Sequence, residues 1–316
     1  MVDEIKPFDI RDIQVSALHS LHVEQFGNPD GYPVVYLHGG PGAGCSYQEY
    51  RLFNPDVFRV VLFDQRGCGR SQPYAEIREQ GLDALVSDLD EIRSDLDIDR
   101  WGVVGGSWGS VYALLYAKAF PERVDRILLR GFWYGDRSGA LNISEESELR
   151  LKAPEQWALY SEWDKAAGFP SLIDAYNNLA NSADMDVALE AARRFMLWDT
   201  AIATPKPRQD LLDEVNDDLH GQLAITRLWF HYAKNEFLKR DGSDFLDVES
   251  FRRTPIDLVQ GAKDYICPPT RAREFCGHYP HVRYYELADG GHSMADEPVR
   301  DKVVQIIGKW ERALTL

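Results

Sequence analysis

The pentapeptide Gly105-Gly106-Ser107-Trp108-Gly109 sets a serine between glycines in the pattern G-x-S-x-G. Three fixed positions of this kind arise by chance in about one chain in ten of this length, so the pattern alone says little. Its neighbours give it weight. The apolar run Trp101–Val104 comes directly before it and Val111–Ala119 directly after. A strand, a sharp turn and a helix in that order would project the Ser107 hydroxyl above a sheet edge, at a helix N-terminus. The bland alternative is a glycine-rich turn in which Ser107 only caps the helix.

A serine hydroxyl is a poor nucleophile until a base removes its proton. Of the eight histidines, His292 in Gly290-Gly291-His292-Ser293 lies just after the last strand-like run, Val282–Leu287. His278 and His281 precede that run and belong at its other end. His220 and His231 fall in a helical region, and His19 and His22 lie near the N-terminus. A base also needs a group to orient it, and Asp264 follows Pro255–Gln260 in the order Ser…Asp…His. After the first buried run comes His38-Gly39-Gly40-Pro41-Gly42. Its glycines would let backbone N–H groups face a developing oxyanion, with Gly40 and Trp108 as the two donors and Gly39 against the substrate. His38 reads as a brace for that loop.

These residues need a scaffold that brings strand ends together. Pro33–Leu37, Arg59–Phe63, Trp101–Val104, Arg126–Leu129 and Pro255–Val259 are short, almost continuous apolar runs, as expected of parallel strands buried on both faces. Between or after them lie the helix-period segments Leu82–Leu96, Ser110–Ala119, Thr270–Cys276 and Val299–Leu314. The alternation predicts an α/β fold with a doubly wound, mostly parallel sheet. Ser20–Phe26, with the turn Gly27-Asn28-Pro29-Asp30-Gly31, suggests an antiparallel hairpin at its entrance. From Phe132 to Phe251 the strand signal stops, and aromatic-rich amphipathic segments such as Glu155–Ala167, Val187–Trp198 and Leu223–Phe237 take over. The chain therefore divides into a catalytic domain, 1–131 and 252–316, and an inserted helical cap, 132–251.

A formal charge of −16, with 44% hydrophobic and 27% charged residues, suits a soluble globular enzyme and opposes contact with nucleic acid or an anionic membrane. It is a weak hint toward cationic substrates. No apolar stretch is long enough to span a bilayer, and the N-terminal MVDEIKPFDIRDIQ has neither a basic nor an apolar leader region. Cys45, Cys68, Cys267 and Cys276 form no C-x-x-C pair and no metal-ligand pattern with histidine. Reduced thiols, a cytoplasmic setting and no metal or cofactor are expected.

The motifs HGGPG (38–42), DQRGCGRS (64–71), GGSWGS (105–110), LLRG (128–131), GAKDYICP (261–268) and GGHS (290–293) closely resemble the proline iminopeptidases, or prolyl aminopeptidases. The resemblance covers roughly 20–131 and 254–300. It implies a Ser-His-Asp peptidase with a helical cap and no metal, acting on a short peptide or small amide. It also implies two cap glutamates that hold the free imino group of an N-terminal proline. Here their positions align with Asp199, shorter by one methylene, and Trp229, with Glu236 as an alternative to the second. An indole in place of a carboxylate either returns some cation binding through its π-face or lines an apolar pocket for a larger group. The two outcomes separate a true aminopeptidase from an amidase or esterase on another small acyl group.

Overall fold

The computed structural model describes residues 6–145 and 147–314; Met1–Ile5 of the segment read for a leader lie outside them. Eight strands, β1 (Asp9–Gln14), β2 (Ser20–Gly27), β3 (Tyr32–Leu37), β4 (Phe58–Phe63), β5 (Trp101–Gly106), β6 (Val124–Arg130), β7 (Ile256–Gly261) and β8 (Arg283–Leu287), form one sheet. Their order is β1-β2-β4-β3-β5-β6-β7-β8. From β4 to β8 every pairing is parallel; β1 with β2 and β2 with β4 are antiparallel. β5 is buried at all six positions, which is why its sequence reads as an unbroken apolar run rather than an alternating one.

The expected hairpin is corrected. The turn at 27–31 does join β2 to β3, but these two are not neighbours. β2 pairs instead with β1 and β4, and β3 lies between β4 and β5. β1 carries the sequence DIRDIQ on a largely exposed edge, so no buried face gives it an apolar signature.

Helices cover both faces. α1 (Tyr47–Tyr50) follows β3, α2 (Leu82–Asp95) precedes β5, and α3 (Trp108–Ala119) follows it. Between β6 and β7 the described residues hold no strand. They form α4 (Arg137–Ser144), α5 (Pro154–Ser161), α6 (Leu172–Leu179), α7 (Met185–Ala203), α8 (Gln209–Asp217) and α9 (Leu219–Asn235), with short 3-10 turns. α10 (Pro269–His278) and α11 (Glu297–Leu314) complete the chain.

The apolar interior has two parts. Val34, Leu62, Val104, Leu128 and Val259 meet Val303, Ile306 and Trp310 of α11 on one face of the sheet. On the other face α3 joins a single larger cluster that runs on into the helices between β6 and β7. Trp108 marks the junction, its ring 4.9 Å from Tyr232 and 5.5 Å from Phe237.

Candidate active site

Ser107 occupies the turn between β5 and α3 with φ 55° and ψ −123°, a conformation that L-residues avoid at a cost of about 1–3 kcal/mol. The surrounding glycines make it possible. A Cβ on Gly105 would stand 2.2 Å from the Gly109 carbonyl oxygen, and one on Gly109 would stand 2.0 Å from that of Leu37. Strand, elbow and helix can therefore approach closely only with glycine on both sides of the serine. The Ser107 N–H is tied to the Arg130 carbonyl at 2.8 Å.

The loops after β7 and β8 bring Asp264 and His292 to the same sheet edge. His292 Nε2 lies 3.0 Å from Ser107 Oγ, and Nδ1 lies 2.9 Å from Asp264 Oδ2. Asp264 itself is held on both oxygens: the Cys267 N–H donates to Oδ1 at 2.7 Å, and Gln260 Nε2 donates to Oδ2 at 2.9 Å. Gln260 in turn accepts from the Phe132 N–H. The imidazole fits because residue 131 is glycine. It has φ +56°, and a Cβ there would stand 2.9 Å from His292 Cε1. Arg130 Nη1 holds the His292 carbonyl at 2.6 Å, and the His292 N–H donates to the Ala203 carbonyl at the end of α7. The chain Asp264–His292–Ser107 can take the serine proton and stabilise the resulting imidazolium.

The loop 38–42 closes over Ser107, with Gly39 packed against it: a Cβ on Gly39 would be 3.3 Å from Ser107 Cβ. Gly40 has φ +107°. Among the described residues, neither the Gly40 nor the Trp108 N–H has a protein acceptor, so both remain available for an oxyanion. His38 braces this loop from behind. Its Nδ1 faces the Gly39 carbonyl at 2.9 Å, its Nε2 accepts from the Gln65 N–H, and Gln65 Oε1 accepts from Trp108 Nε1. Burial lowers the His38 pKa, which suits an imidazole used as a neutral strut. The segment 64–71 serves the same scaffold: Asp64 accepts from Cys45 N–H and from Arg70.

A cavity of about 310 Å³ opens above Ser107 and His292. One wall is apolar and comes from the segment between β6 and β7, including Trp133, Ile143, Phe195 and Trp229. Asp199 of α7 lies in the same wall. Its carboxyl makes no hydrogen bond among the described residues; burial pushes its pKa up to about 6, against the opposing pull of His292.

Residues 32–298 match the α/β hydrolase fold family. The proline iminopeptidase of Neisseria meningitidis serogroup B (strain MC58) is 38% identical over 306 residues, covering 96% of this chain and 97% of that one. The Arabidopsis thaliana proline iminopeptidase is 36% identical over 299 residues, 93% of this chain and 77% of the relative. The chain belongs to the proline iminopeptidase family. Among solved structures, the Mycobacterium smegmatis proline iminopeptidase shares the fold with a TM-score of 0.64 at 20% identity, covering 96% of this chain and 99% of the other. A proline iminopeptidase-related protein from Thermus thermophilus gives 0.62 at 23%, with 97% of each covered.

Within this proline iminopeptidase-like hydrolase, the nominated specificity residues separate clearly. Asp199 and Trp229 line the cavity together with Ser107; Glu236 ends α9 and does not line it. The Trp229 indole N–H is engaged by Ser144 Oγ at 2.9 Å, and its ring stacks with Trp133 at 5.8 Å. Trp229 thus offers the cavity an apolar surface and no donor. Glu49 and Arg130, charged residues to which sequence reasoning gave no role, also line the cavity. Glu49 lay hidden in a four-residue helix too short to give a periodic signal.

Asp264, Cys267 and His292 also gather, each with a potential metal-ligand atom within 4.8 Å of the others, a grouping that spacing along the chain did not reveal. Its donors are already engaged: the Asp264 oxygens accept from Cys267, Gln260 and His292. Burial, followed by the nearby Asp264, pushes the Cys267 thiol well above its ordinary value, which disfavours the thiolate a metal would need.

Proposed function

We propose that this family member is a serine hydrolase that releases an N-terminal proline, or a similarly small residue, from short peptides or amides through an acyl-enzyme. The observation that carries the reading is the unbroken line Ser107 Oγ–His292 Nε2 and Nδ1–Asp264, at 3.0 and 2.9 Å, beneath a cavity that also holds the carboxyl of Asp199. Ser107 Oγ attacks the substrate carbonyl while His292 Nε2 takes its proton, and the N–H groups of Gly40 and Trp108 bind the oxyanion. His292 then gives the proton to the departing amine. Water, activated by the same imidazole, releases the acyl group and restores Ser107. Residues 132–251 act as the cap that encloses the acyl group, and Asp199 pairs with its ammonium. The four cysteines are all free, which supports a reducing, cytoplasmic setting. The absence of a helix long and apolar enough to cross a membrane among the described residues is compatible with it.

A second reading, an amidase or esterase for a different small acyl group, is favoured by Trp229. One carboxylate and an indole make a weaker ammonium site than two carboxylates. A panel of prolyl, alanyl and N-acetyl-prolyl arylamides with p-nitrophenyl esters separates the two. A free-amine preference of about a hundredfold or more is expected of the aminopeptidase and overturns the second reading; equal rates on blocked prolyl substrates overturn the first.

A further inference from the structure

Another part of the cavity wall has a different character. It comes from the ends of β3 and β6, from the loops after β3 and β8 and from α1, and it presents Tyr36, Ala43, Glu49, Arg130, Ser293 and Met294. Substituents around the reacting carbon allot this wall. In the tetrahedral intermediate one bond goes to Ser107 Oγ and one to the oxyanion held by Gly40 and Trp108. The third goes to the acyl part beneath Asp199 and Trp229. The fourth, to the departing nitrogen, is left to face the remaining wall. That wall includes Ser293 and Met294, which directly follow the histidine that must protonate the leaving group.

Glu49 is the acidic group there, and it is held ready. Its Oε2 accepts from the Ser46 N–H at 2.8 Å and from the Ser46 hydroxyl at 2.6 Å, a capping box that fixes the carboxylate before any ligand arrives. Among the described residues no Lys or Arg pairs with it. Arg130, the cation of this wall, forms no ion pair with Glu49: its Nη1 donates to the His292 carbonyl, and the guanidinium lies where a Cβ on Gly106 would be. A fixed carboxylate with no ion-pair partner among the described residues, in the lining of a cavity on a chain of net charge −16, selects cations.

Resting on the aminopeptidase reading, we infer that Glu49 forms a leaving-group subsite that favours peptides whose second residue is lysine or arginine. The test compares Pro-Lys-amide, Pro-Gln-amide and Pro-Glu-amide, the amides removing the terminal carboxylate that Arg130 could otherwise attract. Wild type is expected to show kcat/KM for Pro-Lys-amide about three- to tenfold above Pro-Gln-amide, with Pro-Glu-amide lowest. Glu49→Gln retains an acceptor for Ser46 and should bring the Lys-to-Gln ratio to about one, and Glu49→Lys should invert it toward Pro-Glu-amide. A wild-type ratio of one overturns the inference, whether or not either variant folds. So does an equal loss on all three amides in Glu49→Gln, which would make Glu49 an anchor for the substrate's own amine. N-acetyl-Pro-Lys-amide separates the layers: if it is cleaved as fast as the free form, the aminopeptidase reading falls; if only the free form is cleaved and the ratio is one, Glu49 alone is wrong.

Discussion

Ser107 pays for its position with backbone strain at φ 55°, and this sets activity and stability against each other at one residue. Ser107→Gly should abolish turnover yet raise stability by about 1 kcal/mol, the strain relieved exceeding the extra entropy a glycine gives the unfolded chain. Urea midpoints for the two proteins check this, and a less stable glycine variant would contradict it. Asp199 makes a similar trade. Its folded-state pKa of about 6 lies above the unfolded value near 3.9, so the folded protein holds the proton more tightly. The ionised carboxylate therefore opposes folding, by nothing below pH about 4 and in full above about 6. Asp199→Asn should gain about 1–2 kcal/mol relative to wild type at pH 8, and little at pH 4. For catalysis the sign reverses, because only the ionised form holds an ammonium. For free-amine substrates, kcat/KM should fall as pH drops through about 6 more steeply than for amine-free esters. In Asp199→Asn that difference should vanish; a persisting difference would remove Asp199 from amine binding. The Ser107, His292 and Asp264 positions were legible because each follows a strand that reads clearly. Gln260 and Gly131 were not, since neither type carries a chemical signature and only the folded contacts give them a task.

At the scale of elements, the sheet was legible wherever burial was complete. β3 to β7 carry apolar runs buried over most of their length, and their sequences say so. β1 was missed because an exposed edge strand gains nothing from apolar residues, and Glu155–Ala167, read as one amphipathic segment, is α-helical only to Ser161 before a short 3-10 turn. What the sequence could not disclose is how elements share one residue. α7 carries Asp199 and, one turn on, the Ala203 carbonyl that receives the His292 N–H. The amine-facing carboxyl and the imidazole loop are thus hung on the same helix. β6 does the same through Arg130, whose carbonyl holds the Ser107 N–H and whose side chain holds the His292 carbonyl. The next residue, Gly131, makes room for the ring. Gly131→Ala should place a methyl group against the imidazole at a positive φ. The expected result is a loss of about 1–2 kcal/mol in stability and about 10- to 100-fold in kcat. Thermal unfolding and steady-state kinetics would measure the two. An unaltered kcat would mean that the imidazole can shift without losing Ser107.

For the whole molecule, the inserted helices are not a separate body laid on the sheet. They share one apolar cluster with α3 and the sheet face beneath it, through Trp108, Tyr232 and Phe237. The cavity above Ser107 draws its lining from both, from Trp133, Phe195 and Trp229 on one part and from the sheet edge on another. Its access to charged substrates is set by a property of the entire surface, the net charge of −16. Such a field raises the encounter rate of cations and is screened beyond about 10 Å at 0.1 M salt, whereas a partner in direct contact with Glu49 lies well within that length and is screened less. The two contributions can be told apart by salt. Raising ionic strength from about 0.02 to 0.5 M should lower kcat/KM for doubly charged Pro-Lys-amide by about two- to fivefold, and less for singly charged Pro-Gln-amide. In Glu49→Gln the salt slope for Pro-Lys-amide should persist, because the remaining surface charge is nearly unchanged, while its advantage at high salt should disappear. If the slope disappears with Glu49, one local pair accounts for the whole preference and the surface field contributes nothing. If the high-salt advantage survives in Glu49→Gln, the cation is recognised elsewhere in the cavity.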